Sequence, residues 1–194
     1  IVALYTNDAE AQYGFVKAAK YRSYDVIALD GPLIPHWVSK MEQDEGDLTF
    51  ARVDSDTLDK LIQKDEEIPS KLSKEEEEKL KVIFEGAVDK QKFKVEFSSM
   101  SETEAPIIVT QPEFIRRMME QQKMGGAGFF GAFPESYQLV VNSNHSKIGE
   151  ILGDADEQIR TKKVKQLTDL AMLSQGMLKG EALSKFIDRS IELV

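Results

Sequence analysis

The sequence predicts a small layered α/β unit followed by an α+β domain that ends in an αα-hairpin. Three observations support this fold class. The first 58 residues follow a strand–helix–strand–helix–strand pattern, residues 92–100 alternate strictly between apolar and polar side chains, and the last 40 or so residues carry apolar stripes at helical spacing. No internal repeat or low-complexity tract interrupts this order.

The α/β unit is predicted to span residues 1–60. Apolar runs at Val2–Thr6, Tyr24–Asp30 and Leu48–Ser55 are typical of strands, and the second run is continuous enough to be covered on both faces. Asp8–Lys20 is predicted to be a helix with Asp8 as its N-cap, and Pro35–Gln43 a short helix with proline in its first turn.

A charged connector, residues 61–73, leads into the predicted second domain, residues 74–194. Ser73 and Glu76 form a capping box for a helix over Lys74–Asp89. Lys92–Met100 is predicted to be a half-buried antiparallel strand, because its apolar residues fall on one face. Two further strands are predicted at residues 105–111 and 137–143.

The end of the chain predicts two helices separated at Gly180. Their apolar stripes are formed by Leu167, Leu170, Ala171, Leu173 and Met177 in the first helix, and by Leu183, Phe186, Ile187 and Ile191 in the second. Such a hairpin either packs onto the strands of its own domain or pairs with a second copy as a four-helix bundle. The pattern alone leaves both arrangements open.

Composition excludes several functional classes. The net charge is −9, with 34 acidic against 25 basic residues, which argues against a general nucleic-acid binder. No apolar run reaches the roughly 18 residues of a membrane helix, so no membrane contact is predicted. The chain has no cysteine and begins without methionine, inside a strand-like run, which we interpret as part of a longer protein.

Motifs for catalysis or cofactor binding are not found. The glycine-rich "GGAGFFG" follows a helix and lacks the Gly-Lys-Ser/Thr of a phosphate loop. "DSDTLD", Asp54–Asp59, lacks the later glycine and glutamate of a calcium loop. His36 and His145 stand alone, and His145 is predicted to cap a helix. We therefore expect no catalytic, cofactor-binding or metal-binding residue and no enzyme activity in this chain.

The stretch "PEFIRRMMEQQKMGGAGFFGAF", residues 112–133, is the most unusual feature. Thr110 and Glu113 stand in capping-box register for a helix with one apolar face, formed by Phe114, Ile115, Met118 and Met119. Arg116, Arg117 and Glu120 are predicted to cover the other side. The apolar face either lies on the domain's own sheet or stays exposed for a partner, since methionine repacks against varied surfaces.

Four segments together resemble the bacterial ninety-kilodalton heat-shock chaperones: "DVIALDGPLIPHWV", "FARVDSD", "PIIVTQPEFIRRMMEQ" and "PESYQLVVNSNHSKIGEIL". The resemblance runs over nearly the whole chain. It implies that residues 1–60 end the family's middle domain and residues 74–194 form its C-terminal dimerisation domain. The ATPase domain, with its ATP and Mg, would lie elsewhere in a cytoplasmic, homodimeric parent protein.

The resemblance also assigns roles. Client proteins would be contacted by Phe114, Ile115, Met118 and Met119, together with His36 and Trp37 on the short helix. The helices over Val164–Lys179 and Glu181–Val194 would form the dimer contact. His36 departs from the acidic residue of a well-known relative, as do Gln121 and Gln122 from its apolar face, and no role is carried over to the Gly/Phe loop, residues 125–133.

A second function from another class remains open. Open α/β sheets often bind small molecules at the carboxyl ends of their strands. Here that position falls near Asp30–Gly31. The alternative prediction is therefore a small-molecule-binding α/β module joined to a structural dimerisation domain.

Overall fold

A computed structural model describes residues 1–62, 68–125 and 134–192 of the chain. It is mixed α/β, with two small sheets and a helical end, as the sequence predicts. The elements in chain order are β1 (Val2–Thr6), α1 (Tyr13–Tyr21), β2 (Ile27–Ala28), α2 (Ile34–Glu45), β3 (Thr49–Arg52), α3 (Leu58–Leu61), α4 (Lys74–Gly86), β4 (Phe93–Ser98), β5 (Ile107–Thr110), α5 (Glu113–Gly125), β6 (Tyr137–Asn142), α6 (Ser146–Gly153), α7 (Glu157–Ser174) and α8 (Gly180–Glu192).

Internal contacts divide the chain into two compact units. The first unit combines Ile1–Lys64 with Thr110–Ser136, and the second combines Asp65–Val109 with Tyr137–Val194. Helix α5 therefore packs with the N-terminal α/β residues, although β4 and β5 come between them in the sequence.

The first unit is a three-stranded parallel sheet in the order β2–β1–β3. Because successive strand residues point to opposite faces, Leu4 and Ala51 pack in one buried cluster with Ala19 of α1. Tyr5 and Phe50 pack in another cluster, which includes Val38 of α2. The sheet thus has a layer of helix on each side, which is the predicted α/β architecture.

Two boundaries in this unit differ from the prediction. Helix α1 begins at Tyr13 rather than near Asp8, because the Asp8 carboxylate accepts hydrogen bonds from the amides of Glu10 and Ala11 in a preceding turn. The strand expected over Tyr24–Asp30 contains only Ile27–Ala28. It is an edge strand with Ile27 46% exposed, so the prediction that both its faces are covered is wrong.

The second unit has a sheet in the order β4–β6–β5, and its core lies around the central strand β6. Strand β4 runs parallel to β6, from Phe93 opposite Tyr137 to Ser98 opposite Asn142. The predicted antiparallel pairing of β4 is therefore wrong. Strict alternation of side chains reports that one face is buried, and it carries no information about the direction of the neighbouring strand.

Helix starts in the second unit follow the predicted caps. The hydroxyl of Ser73 accepts a hydrogen bond from the Glu76 amide and the Glu76 carboxylate accepts one from the Ser73 amide, which completes the capping box of α4. The imidazole of His145 accepts a hydrogen bond from the Lys147 amide at the start of α6, as predicted. Both caps satisfy amides that have no partner inside the helix.

The terminal hairpin turns earlier than predicted. Helix α7 ends at Ser174, and Gly176 has a φ of +63°, a backbone conformation that favours glycine. Met177 therefore lies in the turn rather than on the helix, and Gly180 begins α8. Between the helices, buried Asp169 of α7 accepts hydrogen bonds from Lys165 and from Arg189 of α8. This ion cluster fixes which faces of α7 and α8 meet.

Within the first unit, helix α5 contacts the sheet through charged side chains. Arg116 is buried, and its guanidinium donates hydrogen bonds to the carboxylates of Glu113 and Glu120 and, at 2.8 Å, to the hydroxyl of Tyr5. The sequence predicted that Arg116, Arg117 and Glu120 would lie on the other side of the helix from the apolar residues, and it did not predict that Arg116 would be buried. A buried cation needs opposite charges and hydrogen bonds, and the glutamates three residues before and four after it supply them.

Arg117 makes the second attachment. Its guanidinium forms a two-pronged contact with the Glu42 carboxylate of α2, at 2.7 and 2.9 Å, and a bond to the carbonyl of Phe50. Hydrogen bonds from Arg117 hold the pKa of Glu42 below its ordinary value of 4.5, and an amide bond from Phe50 acts in the same direction. Helices α2 and α5 are thereby held together within one unit.

The end of β6 is organised by one buried side chain. Asn142 is fully buried, and its carbonyl oxygen accepts hydrogen bonds from the amides of Met100 and Asn144 at 3.3 and 3.0 Å. Its amide nitrogen donates to the Ser101 carbonyl at 2.8 Å. One carboxamide therefore satisfies backbone groups in the two loops beside the sheet.

Replacing Asn142 with alanine should lower the free energy of unfolding of the second unit by about 2–3 kcal/mol, because the backbone groups that it binds lose their buried partner. Urea unfolding followed by circular dichroism measures the change. Lys94→Ala, an exposed substitution on β4, is the control and should change stability by less than about 0.5 kcal/mol. Equal stabilities for the two variants would contradict this role.

The lowered pKa of Glu42 predicts a pH-dependent anchor for α5. Because the folded-state pKa lies below the ordinary value of 4.5, the stabilisation is complete above that pH and is lost as the pH falls through the lowered value. Glu42→Gln should reduce stability by about 1 kcal/mol at neutral pH, after allowance for solvent screening, and the difference from the unaltered chain should shrink in acid.

Fluorescence of Trp37, the single tryptophan, reports unfolding of the first unit during urea titration at several pH values. Glu45→Gln removes an exposed carboxylate from the same helix and serves as the matched control. A stability difference between Glu42→Gln and the unaltered chain that stays constant from neutral pH into acid would refute the pH dependence.

Candidate functional site

The outer face of α5 presents the four apolar side chains that the sequence singled out. Phe114 is 70% exposed, and Ile115, Met118 and Met119 are half-buried. Arg116 and Arg117 attach another side of the helix to Tyr5 and Glu42, which leaves Phe114 exposed and the other three partly accessible. The predicted alternative in which the apolar face lies on the domain's own sheet does not match this arrangement.

Helix α2 presents the second part of the site. Trp37 is 43% exposed, and its ring lies edge-on to that of buried Phe50, with the centroids 5.4 Å apart. This contact fixes the indole while leaving much of its surface open. His36 beside it is exposed. Since Arg117 of α5 binds Glu42 of α2, both sets of candidate residues belong to one connected structure.

A cavity of about 400 Å³ opens between these two helices, within the first unit. Its walls come from the carboxyl ends of β1 and β2, from the first turn of α2 and from α5, and its lining residues include Tyr5, Asn7, Leu29, Asp30, Ile34 and Arg116. This is the position near Asp30–Gly31 at which the sequence predicted an alternative small-molecule site.

The electrostatics of the cavity depend on the buried Tyr5–Arg116 pair. Burial raises the pKa of the Tyr5 hydroxyl, so it is neutral at physiological pH and accepts the hydrogen bond from Arg116. Burial opposes the charge of Arg116, yet hydrogen bonds and opposite charge from Glu113 outweigh it and raise the pKa of the guanidinium. Arg116 is therefore a permanent cation with committed partners.

Of the residues expected at a dimer contact, some are exposed to solvent and others are buried within the chain. Leu170, Leu173, Ile187 and Ile191 are 51%, 37%, 47% and 69% exposed, and Leu183 is half-buried. Ala171 and Phe186 are buried within the chain, and Leu167 and Met177 pack against the core of the second unit. The hairpin thus packs on its own unit by one face and exposes apolar residues on another.

Within residues 1–62, 68–125 and 134–192, no group of three or more acidic or histidine side chains is placed to hold a metal ion. None of the helices in the same ranges is long and apolar enough to cross a bilayer. The phenylalanines of the Gly/Phe loop, Phe129, Phe130 and Phe133, lie outside the described residues.

Sequence reasoning missed the residues that orient the site. Tyr5 was predicted only as part of a strand, and Arg116 only as a charge on the other side of the helix from the apolar residues. One signal was available, because Glu113, Arg116 and Glu120 stand at the i, i+3 and i+4 spacings that pair charges along a helix. That spacing indicates an ion-pair network, although it does not reveal which face of the helix is buried.

Relatives of the chain are found among bacterial chaperones. The chaperone protein HtpG of Porphyromonas gingivalis is 33% identical over 262 aligned positions. The proteins of the same name from Bacteroides fragilis and Bacteroides thetaiotaomicron are 31% and 28% identical. Each alignment includes all of this chain and 38% of the relative. No family model matches the chain.

The alignments are longer than the chain itself. The Porphyromonas alignment has 262 positions against 194 residues, so at least 68 positions of it have no residue in this chain. Within the aligned region, the relative therefore has segments with no counterpart in this chain. With its motifs and its order of elements, this similarity confirms the predicted resemblance: the chain is a relative of the HtpG chaperones and spans 38% of their length.

Proposed function

We propose that this chain is the dimerisation and client-binding part of an ATP-dependent chaperone, in which it holds partly unfolded proteins against exposed apolar side chains. The observation that carries the proposal is the orientation of α5, in which Arg116 is buried against Tyr5 while Phe114, on another side of the helix, is 70% exposed. An amphipathic helix of a soluble protein ordinarily has the reverse orientation.

The residue types on this surface suit varied clients. Met118 and Met119 have flexible, polarisable side chains that adapt to partners of different shape. Phe114 and Trp37 offer large rings, which dominate binding energy at protein interfaces. An exposed group of such residues on a soluble protein marks an interaction site. The similarity to HtpG chaperones, which runs over all of this chain, supports the same assignment.

Pairing of two copies through α7 and α8 is the second part of the proposal. The exposed residues of the hairpin provide an apolar surface, and the Asp169–Arg189 pair keeps the two helices in a fixed arrangement. A stable dimer buries about 1,600 Å² in total. We propose that the hairpins of two copies form a four-helix bundle, which would place two client surfaces in one particle.

ATP is assigned to the parent protein and not to this chain. The sequence offers no phosphate loop, and in the described ranges no acidic cluster is placed to hold Mg. We propose that ATP binding and hydrolysis belong to other parts of a cytoplasmic parent chaperone, and that this chain contributes no catalytic residue.

Replacing Phe114 and Met118 together with serine should weaken binding to a permanently unfolded, fluorescently labelled polypeptide by about tenfold, because two apolar contacts are lost. Fluorescence anisotropy measures the affinity. Val82→Ser is the matched control, since Val82 is 69% exposed on α4 and lies outside the proposed surface. Unchanged affinity in a folded double variant would exclude this surface.

Sedimentation of the unaltered chain at roughly 50 µM should give twice the mass of the 21.9 kDa chain, because a bundle of the usual interface size gains enough free energy to associate at this concentration. Leu170→Asp combined with Ile187→Asp should give a folded monomer, since each places a charge in the bundle core. Val82→Asp should remain a dimer. A monomeric unaltered chain would count against the bundle.

The cavity near Asp30–Gly31 favours a second candidate function, a small-molecule site on the α/β unit. Its volume of about 400 Å³ lies in the range of known ligand pockets, roughly 300–1,000 Å³. A rise in melting temperature with a nucleotide or metabolite would support this alternative, provided that Asp30→Asn abolishes the rise.

A further inference from the structure

The cavity between α2 and α5 adjoins the proposed client surface. Ile34 in its wall lies one helical turn before Trp37 on α2, and Arg116 in its wall lies one helical turn before Met119 on α5. A polypeptide bound across the apolar residues of α2 and α5 would therefore pass the mouth of this cavity. The cavity is placed to receive one side chain of the bound segment.

Among the described residues that line the cavity, none offers a free cation that could attract an acidic side chain. Arg116 is its one basic lining residue among the described ranges, and four of the five N–H groups of its guanidinium already bind Glu113, Glu120 or Tyr5. Its charge is matched by those two carboxylates. The Glu120 carboxylate also lies 3.8 Å from the guanidinium of Arg52.

Of the two carboxylates in the cavity wall, only that of Asp30 is uncommitted among the described residues. Asp30 is exposed and its carboxylate has no hydrogen-bond or ion-pair partner among the described residues; the same holds for the side-chain amide of exposed Asn7. Both follow the carboxyl ends of neighbouring parallel strands, β1 and β2. Gly31, with a φ of +136°, turns the chain directly after Asp30 and so fixes where this carboxylate lies.

The remaining wall is apolar. Leu29, Ile34 and Pro35 line the cavity beside these two acceptors. An aliphatic stem that ends in a cation matches this combination, because the methylenes lie along apolar surface while the charge stays at a solvated carboxylate. An acidic side chain would meet Asp30 and Glu120 without an available counter-charge.

We propose that this cavity takes an alkylammonium or guanidinium group, supplied as the lysine or arginine side chain of a bound client segment, with Asp30 as its counter-charge. The client surface would then prefer segments in which a basic residue stands among apolar ones. This inference rests on the proposed client-binding function and adds a charge preference to it.

Two labelled synthetic peptides test the preference. Both carry phenylalanine, leucine and methionine around a central position, which is lysine in one peptide and norleucine in the other, so the aliphatic stem is kept while the charge is removed. At low ionic strength the lysine peptide should bind about three- to fivefold more tightly, as a solvent-accessible ion pair allows. High salt should reduce this difference.

Variants of the full chain locate the effect. Asp30→Asn should abolish the preference by weakening lysine-peptide binding to the level of the norleucine peptide, whereas Asp30→Lys should favour a third peptide with glutamate at the central position. Asp25→Asn removes another exposed carboxylate of the same unit, outside this cavity, and should preserve the preference. Equal effects of Asp25→Asn and Asp30→Asn would overturn the proposal, because they would show a general effect of net charge.

The outcomes separate this inference from the proposed function. If neither peptide binds, the client-binding function itself fails. If both bind equally and Asp30→Asn changes nothing, the surface binds clients and the cavity assignment alone is wrong. A free small-molecule cation is the other possible occupant of the cavity, and butylammonium tests for it. If butylammonium competes with the lysine peptide, the assignment is supported. If butylammonium binds the chain but the two peptides bind equally, the cation does not come from a client and the proposal is overturned.

Discussion

The structure of the first unit depends on the buried guanidinium of Arg116. Removing a cation from water costs several kcal/mol unless opposite charges and hydrogen bonds offset the loss. Here two glutamates of the same helix and the hydroxyl of Tyr5 supply them. Because Tyr5 belongs to the central strand, this contact attaches α5 to the sheet and, together with the Arg117–Glu42 pair, sets the orientation of the helix.

The proposed function follows from that orientation. If Arg116 faced solvent, Phe114 and the methionines would cover the unit as an ordinary apolar face. With Arg116 buried, Arg117 ties α5 to α2 through Glu42, and Trp37 stands on the same helix as Glu42. The same attachment leaves the cavity between the helices, with the committed charge of Arg116 in its wall and the free carboxylate of Asp30 at its mouth.

Local features of the fold were predictable from the sequence. Ser73 and Glu76 form the predicted capping box, and Val2–Thr6 is a strand with the predicted bounds, because both depend on neighbouring residues. The direction of β4 was not predictable, since its partner β6 lies about 40 residues away and alternation is the same in either direction. The buried face of α5 was not predictable either, because it depends on Tyr5, more than a hundred residues earlier in the chain.

The candidate site shows the same division. The apolar residues Phe114 and Met118 stand out in the sequence by type and spacing, and the family resemblance gives them a role. Asp30 and Asn7 become notable only when the parallel strands bring their ends together. That neither has a side-chain partner among the described residues is a property of the folded chain, which no local pattern contains.

Separate groups of side chains are responsible for folding and for the proposed recognition on α5. Phe114 is outside every buried cluster of the first unit, so its replacement leaves the packing around Tyr5 and Phe50 intact. Position 114 can therefore vary, and with it the proposed recognition, without loss of the buried clusters that hold the unit together. The arginines and their glutamates are under the opposite constraint, because any change to them moves the whole recognition surface.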